Sequence, residues 1–388
     1  MSWKESIFSG ESERTRRLRV CIIYSVFLFF VASAAFNGYF SKTGFLDNVP
    51  RRSFVRIIEG TADRPFIYRQ LLPVIANYAD RVIPKAISQK LATVRGDGGG
   101  RIYEKLFRAP IAQDPVYSFR YLVMYLEAYV GALVAVFALF FVCRSEGFQP
   151  PTALIASSLL ILLIPYLQCR GGGYYTDFPE VAFLALAFLA VQRLHWLWLV
   201  PIAALGTFNK ESFLLILLTL WPFLRLRWGK WYALFQLGIL ELVGASIYLA
   251  VKSHFKGNPG VPLEFHFYEQ FTFFKYPPNL IAKFGDVYGF FVPEPMTIVP
   301  MAIFAWLLYR GWRGISPEIR QHAIIAACIN IPLYIVFCNP GETRDFSMLY
   351  IFVLLALAVN LSETAAVPEK LYPIQNDPEV TTMNQLSS

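Results

Sequence analysis

The sequence has few charged residues and lacks the short motifs of common metal and phosphate sites. Only 16% of its 388 residues are charged, compared with about 25% in soluble domains. Its five cysteines include no Cys-x-x-Cys pair and its four histidines no His-x-x-x-His pair, which argues against a zinc site of the usual kind. The glycine-rich segment 96–100 is not followed by Gly-Lys-Ser or Gly-Lys-Thr, so a phosphate-binding P-loop is not expected there.

Apolar residues dominate the chain instead. They make up 56% of it, and long apolar runs recur between residues 20 and 360. This pattern predicts an all-α integral membrane protein in contact with the lipid bilayer. The formal charge of +8 comes from basic residues at the ends of apolar runs, and no basic–aromatic module typical of nucleic-acid binding is present. We therefore expect the bilayer, and no nucleic acid, among the partners.

The distribution of basic residues predicts the topology. Four arginines end the N-terminal segment 1–19, directly before the first apolar run, and such residues hold a chain end in the cytoplasm. The same rule, applied to the later runs, predicts about ten transmembrane helices within 20–360 and a cytoplasmic tail over 361–388. The runs 196–208 and 213–224 are shorter than the ~20 residues of a full span, and we expect thin spans or a re-entrant pair. Because no organellar signal is visible, we expect a bacterial inner membrane with both termini in the cytoplasm.

Two long loops, 37–118 and 252–295, are predicted to lie outside the cytoplasm. The first is the longest polar piece of the chain. Within it, apolar residues between 74 and 83 recur at roughly helical spacing, which predicts an amphipathic helix lying along the membrane interface. The second loop is rich in aromatic residues and proline.

On this topology, four polar clusters share the external membrane face. They are Asp63, Tyr68 and Arg69; Arg170, Tyr174, Tyr175, Asp177 and Glu180; Lys210 and Glu211; and Glu342, Arg344 and Asp345. Charged groups at membrane depth cost several kcal/mol unless they are paired or face water, so such residues are functional candidates. The alternative is that they form ion pairs at loop ends, such as Glu342 with Arg344.

These residue types suit the transfer of a group from a lipid-linked phosphate donor. A carboxylate near the membrane surface can act as general base on an incoming hydroxyl; Asp63 is the first candidate and Asp177 the second. Cationic side chains would hold the donor phosphate and stabilise the leaving group; the candidates are Arg69, Arg170, Lys210 and Arg344. Aromatic rings would stack on a sugar, or else belong to the interfacial aromatic belt; they are Tyr68, Tyr174 and Tyr175. The supporting carboxylates are Glu180, Glu211, Glu342 and Asp345.

The layout resembles the polytopic glycosyltransferases with the GT-C fold, which use polyprenyl-phosphate sugars. The likeness covers a cytoplasmic N-terminus, a large first external loop with an acidic residue and amphipathic helices, and then many short spans. The turns Tyr175-Thr176-Asp177-Phe178-Pro179-Glu180 and Asn209-Lys210-Glu211 are similar to the polar connections of such enzymes. The first external loop of this family usually carries an acidic pair, whereas this chain offers a single acid in Ala62-Asp63-Arg64-Pro65.

The resemblance implies a polyprenyl-phosphate-linked sugar as donor and a glycan, lipid or protein as acceptor. It also leaves a divalent cation open as a cofactor, because some relatives need one and carboxylate oxygens are suitable ligands. The ligand candidates are Asp63, Asp177 and Glu180. No other cofactor is indicated.

Two other functions remain open at this stage. One is a polysaccharide polymerase or ligase that works on undecaprenyl-linked glycans. The other is a transporter or flippase of lipid-linked or small solutes. Transporters usually show internal repeats and polar residues near the middle of spans, whereas this chain shows no repeat and its charges gather at helix ends. Glu127 and Glu241 are exceptions, and both facing a central cavity would favour a transporter.

Overall fold

The computed structural model describes residues 13–45, 49–92, 110–168 and 174–365. The structure is 77% helical with very little sheet. The first half contains α1 (Glu13–Thr43), α2 (Phe54–Ile58), α3 (Leu71–Val82), α4 (Lys85–Ala92), α5 (Ser118–Ser145), α6 (Pro150–Leu167) and α7 (Asp177–Arg193). The second half contains α8 (Leu199–Asn209), α9 (Phe213–Leu218), α10 (Trp221–Trp228), α11 (Lys230–His254), α12 (Phe267–Phe274), α13 (Pro277–Ile281), α14 (Ile298–Trp312), α15 (Pro317–Phe337) and α16 (Tyr350–Ala365).

The helix lengths and composition are those of an integral membrane protein. Six described helical segments are long and apolar enough to cross a membrane, namely α1, α5, α6, α11, α15 and the segment Thr343–Thr364 that contains most of α16. Two further apolar helices, Trp196–Asn209 and Ile298–Trp312, are shorter. The all-α membrane class is therefore confirmed, while a count of about ten spans stays a prediction.

Two details of the loops and short helices were not predicted. The apolar run 213–224 is divided between α9 and α10. The long second loop contains α12 and α13, followed by an antiparallel hairpin of β1 (Phe284–Val287) and β2 (Phe290–Pro293).

In the first loop, the predicted amphipathic helix is present as α3. Its inner side buries Leu72 and Ala76, whereas Tyr78 and Val82 remain exposed, as expected of a helix with one side turned to lipid.

The core of the bundle is closely packed where α5 meets α7. A Cβ atom on Gly131 of α5 would lie 2.8–2.9 Å from Pro179 at the start of α7. Ala128, Ala132 and Ala135 continue this buried strip of small residues along α5. Small residues let helix backbones approach closely in membranes, and this approach fixes the N-terminal turn of α7, which carries two of the predicted site residues.

The two long loops are held together by hydrogen bonds to backbone carbonyl groups. Asn258 Nδ2 donates to the carbonyl oxygens of Gly60 (2.8 Å) and Ala62 (2.9 Å). The amide of Arg64 donates to Pro259 O (2.8 Å), and its guanidinium donates to Gly260 O (2.8 Å). Gly260 has a φ of 86°, and a Cβ there would lie 2.6 Å from Arg64 O, so only glycine suits this position. We call this connection, together with the adjoining ion pairs of Asp63 with Arg51 and Arg56, the loop clasp.

The basic residues predicted to be cytoplasmic meet at the other end of the bundle. Arg227 Nη1 donates to the carbonyl oxygens of Val191 (3.0 Å) and Leu194 (2.7 Å). Arg193 Nη2 donates to Ser145 O (3.2 Å) at the end of α5. The bundle thus has one arginine-rich end that ties helix termini together and an opposite end that carries the long loops.

Candidate functional site

A cavity of about 380 Å³ lies at the loop-bearing end of the bundle. The ends of α11 and α15 and the 3-10 helix Thr343–Leu349 contribute to its wall, together with both long loops and the α8–α9 connection. Its charged lining residues are Arg52, Arg69, Lys210 and Arg344, and Glu211, Glu264, Glu342 and Asp345. Most of the predicted charged residues that the structure describes therefore converge on one space.

Lys210 occupies the centre of a buried ion-pair network at the wall of this cavity. Its Nζ lies 2.6 Å from Glu180 Oε2, 3.6 Å from Asp345 Oδ1 and 3.8 Å from Asp177 Oδ1. Lys210 comes directly after the last residue of α8, in the turn that leads to α9. Burial lowers the pKa of Lys210, but the three carboxylates outweigh burial and raise its pKa above the ordinary value. Lys210 is therefore a permanent positive charge that holds three elements together.

Asp177 is surrounded by donors at the N-terminus of α7. Its Oδ2 accepts hydrogen bonds from the amide of Tyr174 (2.8 Å), from Gln168 Nε2 (2.9 Å) and from Arg344 Nη1 (3.3 Å). A carboxylate is also favoured at a helix N-terminus by the helix dipole. Asp177 is not among the residues that line the cavity. The geometry thus favours a positioning role for Asp177 over the predicted role of general base.

Glu180 is likewise engaged behind the cavity wall. In addition to Lys210, it accepts hydrogen bonds at Oε1 from Ser212 Oγ (2.9 Å) and Ser347 Oγ (3.1 Å). It therefore connects α7, the α8–α9 turn and the 3-10 helix Thr343–Leu349. Like Asp177, Glu180 orients the cationic side chains that do reach the cavity.

Three guanidinium groups converge on the ring of Tyr174. The Cζ atoms of Arg344, Arg69 and Arg52 lie 4.4, 4.5 and 4.8 Å from its centroid. The ring of Phe66 stacks against the same ring, with 6.1 Å between the two centroids. Cation–π contacts of this kind are attractive and hold the cation in place. Tyr174 therefore positions the arginines, and its ring is already engaged, which does not favour the predicted stacking on a sugar.

The arginines are not neutralised equally. Arg344 lies 3.3 Å from Asp177, 3.6 Å from Glu342 and 3.9 Å from Asp345, and Arg69 lies 3.6 Å from Glu211. Arg52, by contrast, has no ion pair with any described carboxylate. Burial, assisted by the charge of Arg344, lowers its pKa to about 10, so Arg52 is still a cation at neutral pH.

Several guanidinium N–H groups have no hydrogen-bond partner in the described part of the chain. At this cavity they include Nε and Nη1 of Arg69 and Nε of Arg52, all shielded from solvent. Buried donors are nearly always satisfied in folded proteins. Arg69 and Arg52 both line the cavity, and an anion bound between their side chains would supply the missing acceptors.

The remaining tyrosines differ in their surroundings. Tyr68 is buried and lines the cavity, and its hydroxyl lies beside the guanidinium of Arg64. Tyr175 is buried behind the wall, where its hydroxyl donates to Arg69 O (2.9 Å). Tyr68 is thus the predicted aromatic residue that can still contact a ligand, while Tyr175 fixes the backbone of Arg69.

Asp63 lies apart from the other site residues. It forms ion pairs with Arg56 (3.1 Å) and Arg51 (3.2 Å), and Arg51 also forms an ion pair with Glu264 (2.7 Å). The Asp63 amide donates to Arg51 O (2.9 Å). Asp63 therefore belongs to the loop clasp and does not line the cavity. The geometry does not favour the predicted role of general base.

Arg52, Glu264 and His266 line the cavity but were missed by the sequence reasoning. The only sequence feature at Arg52 is the string Pro50-Arg51-Arg52 within a polar external segment, which does not distinguish Arg52 from other loop arginines. Glu264 and His266 carried no signal, because only the clasp brings their loop over the cavity. Arg170, a predicted phosphate ligand, lies outside the described residues.

The proposed oxygen ligands do not fit a divalent cation. Asp63 is bound by two arginines in the loop clasp, and Asp177 and Glu180 are saturated by cationic and hydroxyl donors. Among the residues that the structure describes, no group of three or more His, Cys, Asp or Glu side chains is arranged to hold a metal ion. The arginines of the wall, of which Arg52 has no ion pair with a described carboxylate, point to an anionic ligand instead.

Comparisons with protein-family models, with curated proteins and with solved structures found no match for this chain. The resemblance to GT-C glycosyltransferases therefore stays a prediction. Glu127 and Glu241 would strengthen the transporter alternative if both faced a central cavity. Neither residue is among those that line the cavity.

Proposed function

We propose that this protein is a membrane glycosyltransferase that moves a sugar from a polyprenyl-phosphate donor to an acceptor at this cavity. The observation that carries the proposal is the group of arginines around Tyr174, two of which have unpartnered buried donors. A guanidinium binds phosphate in a bidentate manner and stays charged in a buried site. It also stabilises the negative charge that develops on a phosphate leaving group.

The lipid-exposed helices beside the cavity support a lipid-linked donor. Tyr248 on α11, and Leu333 and Phe337 on α15, form part of the wall. Both helices are long enough to cross a membrane and are largely exposed, being only 17% and 33% buried over their apolar windows. A polyprenyl chain can therefore lie along α11 and α15 in the bilayer while its phosphate reaches the arginines. A water-soluble nucleotide sugar would not need a cavity bordered by lipid-exposed helices.

The orientation follows from the two ends of the bundle. Basic residues of the short connections, such as Arg193 and Arg227, lie at the end opposite the cavity, and basic residues in short loops favour the cytoplasm. In this proposal both termini are cytoplasmic, and transfer takes place at the extracytoplasmic face, in a bacterial inner membrane. A polymerase or ligase acting on lipid-linked glycans would share the donor site, but no separate observation favours it.

In the transfer, the arginines of the wall hold the leaving phosphate and a carboxylate of the wall acts as the base. An acceptor oxygen forms a bond to the anomeric carbon as the bond from that carbon to the phosphate oxygen breaks. The polyprenyl phosphate leaves with the electron pair and is held by Arg52, Arg69 and Arg344. A carboxylate of the wall takes the acceptor proton, which is general base catalysis.

Lipid binding by the full-length, detergent-solubilised protein tests the proposal. Undecaprenyl phosphate and dolichyl phosphate are titrated against the neutral lipid undecaprenol. We expect the phosphate lipids to bind at least tenfold more tightly, since a charge-assisted hydrogen bond contributes about 1.5–3 kcal/mol. Arg52→Gln is expected to remove most of this preference, because it removes a positive charge from the cavity wall. The substitution breaks no ion pair with a described carboxylate, so the fold should be kept.

Arg81→Gln is the matched control for this titration. Arg81 is an exposed arginine of the same external loop and does not line the cavity. We expect Arg81→Gln to bind both classes of lipid like the unmodified protein. Equal affinity for undecaprenol and the phosphate lipids, or equal effects of the two substitutions, would refute the proposal.

A further inference from the structure

A second cavity of about 560 Å³ adjoins the first. Its outer wall is formed by α12, α13 and their connection, which contribute Phe273, Tyr276 and Asn279. Its inner wall contains Arg52, Asn339 and Glu342, and these three residues also line the first cavity. The two cavities are therefore adjacent and share these three lining residues.

We propose that this second cavity is the acceptor subsite and that it takes carbohydrate. The inference rests on the proposed function, because it assigns the acceptor to a donor site that the arginines define. A sugar in the second cavity would meet the donor beside Arg52 and Glu342, which line both cavities. The acceptor is thus a saccharide, free or attached to a larger molecule.

The lining residues match the chemistry of a sugar. A pyranose presents a face of C–H groups and an edge of hydroxyls, and it binds where an aromatic ring stands beside planar polar groups. Tyr276 is 64% exposed and lines the cavity. The polar groups beside it are the amide of Asn279, the hydroxyl of Thr272 and the carboxylate of Glu269.

The amide of Asn279 is held in a defined place. Its Nδ2 donates to Phe273 O (2.9 Å), so its Oδ1 is left as an acceptor for a ligand hydroxyl. Buried Phe273 is in turn covered by Lys283, whose Nζ lies 5.3 Å from the ring centroid. Sites that hydrogen-bond a substrate hydroxyl discriminate strongly against analogues that lack it.

Glu342 is placed to act as general base on this acceptor. Among the carboxylates that line the two cavities, it is the one that lines both. Its Oε2 accepts the amide of Asn339 (3.1 Å), and its Oε1 lies 3.6 Å from Arg344 Nη2. The acceptor hydroxyl gives its proton to Glu342 as its oxygen bonds to the anomeric carbon. The bond from that carbon to phosphate breaks, and the polyprenyl phosphate leaves into the first cavity.

A carbohydrate-binding measurement on the full-length, detergent-solubilised protein tests the inference. The probe is a printed array of immobilised oligosaccharides, and the same preparations are titrated with undecaprenyl phosphate. Tyr276→Ala removes an exposed ring from the second cavity. Tyr268→Ala is its matched control, because Tyr268 is 81% exposed, lies on adjacent α12 and does not line either cavity.

We expect Tyr276→Ala to lower glycan binding at least tenfold, while Tyr268→Ala binds glycans like the unmodified protein. Both variants should keep the affinity for undecaprenyl phosphate. If no oligosaccharide binds while undecaprenyl phosphate does, or if the two tyrosine variants behave alike, the carbohydrate subsite is refuted and the donor site stands. If undecaprenyl phosphate fails to bind, the proposed donor site is refuted whatever the array shows.

Discussion

Lys210 Nζ lies 2.6 Å from Glu180 Oε2, and both side chains are buried. The pair joins the α8–α9 turn to the first turn of α7, two segments that are 30 residues apart in the chain. Desolvating two charges is expensive and is tolerated only with good geometry and further hydrogen bonds. Ser212 and Ser347 supply those bonds to Glu180. The pair therefore organises the wall of the cavity.

Removal of the lysine should destabilise the protein. Lys210→Met leaves the carboxylates of Glu180, Asp177 and Asp345 without their shared cation, and we expect a loss of about 3–5 kcal/mol. The measurement is the thermal unfolding midpoint of the full-length protein in detergent. Lys85→Met is the control, because the Lys85–Asp80 pair (3.1 Å) involves a lysine side chain that is 69% exposed, and such pairs contribute about 0–1 kcal/mol. Equal shifts in the two variants would contradict the role given to Lys210.

The close approach of α5 and α7 gives a second prediction. In Gly131→Ala, the new methyl group would meet Pro179 at 2.8–2.9 Å, including its backbone nitrogen. We expect a loss of about 1–3 kcal/mol, as is typical of overpacking. Gly238→Ala in α11 is the opposite case, since no atom lies within 4 Å of the new Cβ, and helix propensity favours alanine by up to ~1 kcal/mol. An unfolding midpoint that falls equally in both variants would refute the tight contact.

The role of Asp63 distinguishes the sequence prediction from the structure. If Asp63 acts in the loop clasp, Asp63→Asn weakens its ion pairs with Arg51 and Arg56 and lowers stability modestly. Sugar transfer by the folded protein should then be retained. If Asp63 were the general base, transfer would fall by about 10²–10⁴-fold at unchanged stability. Unfolding midpoints and transfer rates measured on the same preparation separate the two outcomes.

The sequence was sufficient for the membrane class and for most charged site residues. Lys210, Glu342, Arg344 and Asp345 stand beside apolar runs, where charge is costly, and that cost marks them without any knowledge of the fold. Arg52 could not be singled out, because a polar loop tolerates arginine anywhere and only the fold places it beside Tyr174. The separation of Asp63 from the cavity also depends on the fold, since Arg51 and Arg56 pair with it only when the loop turns back on itself.

Release of undecaprenyl phosphate tests the central claim most directly. The full-length protein is incubated with undecaprenyl phosphoglucose, phosphomannose, phosphogalactose and phosphoarabinose, together with the oligosaccharides that it binds. We predict release from at least one donor, with Glu342→Gln slower by about 100-fold or more although it still binds both lipid and glycan. Release from none of these donors above the level of Arg52→Gln, or an equal rate in Glu342→Gln, would contradict sugar transfer at this cavity.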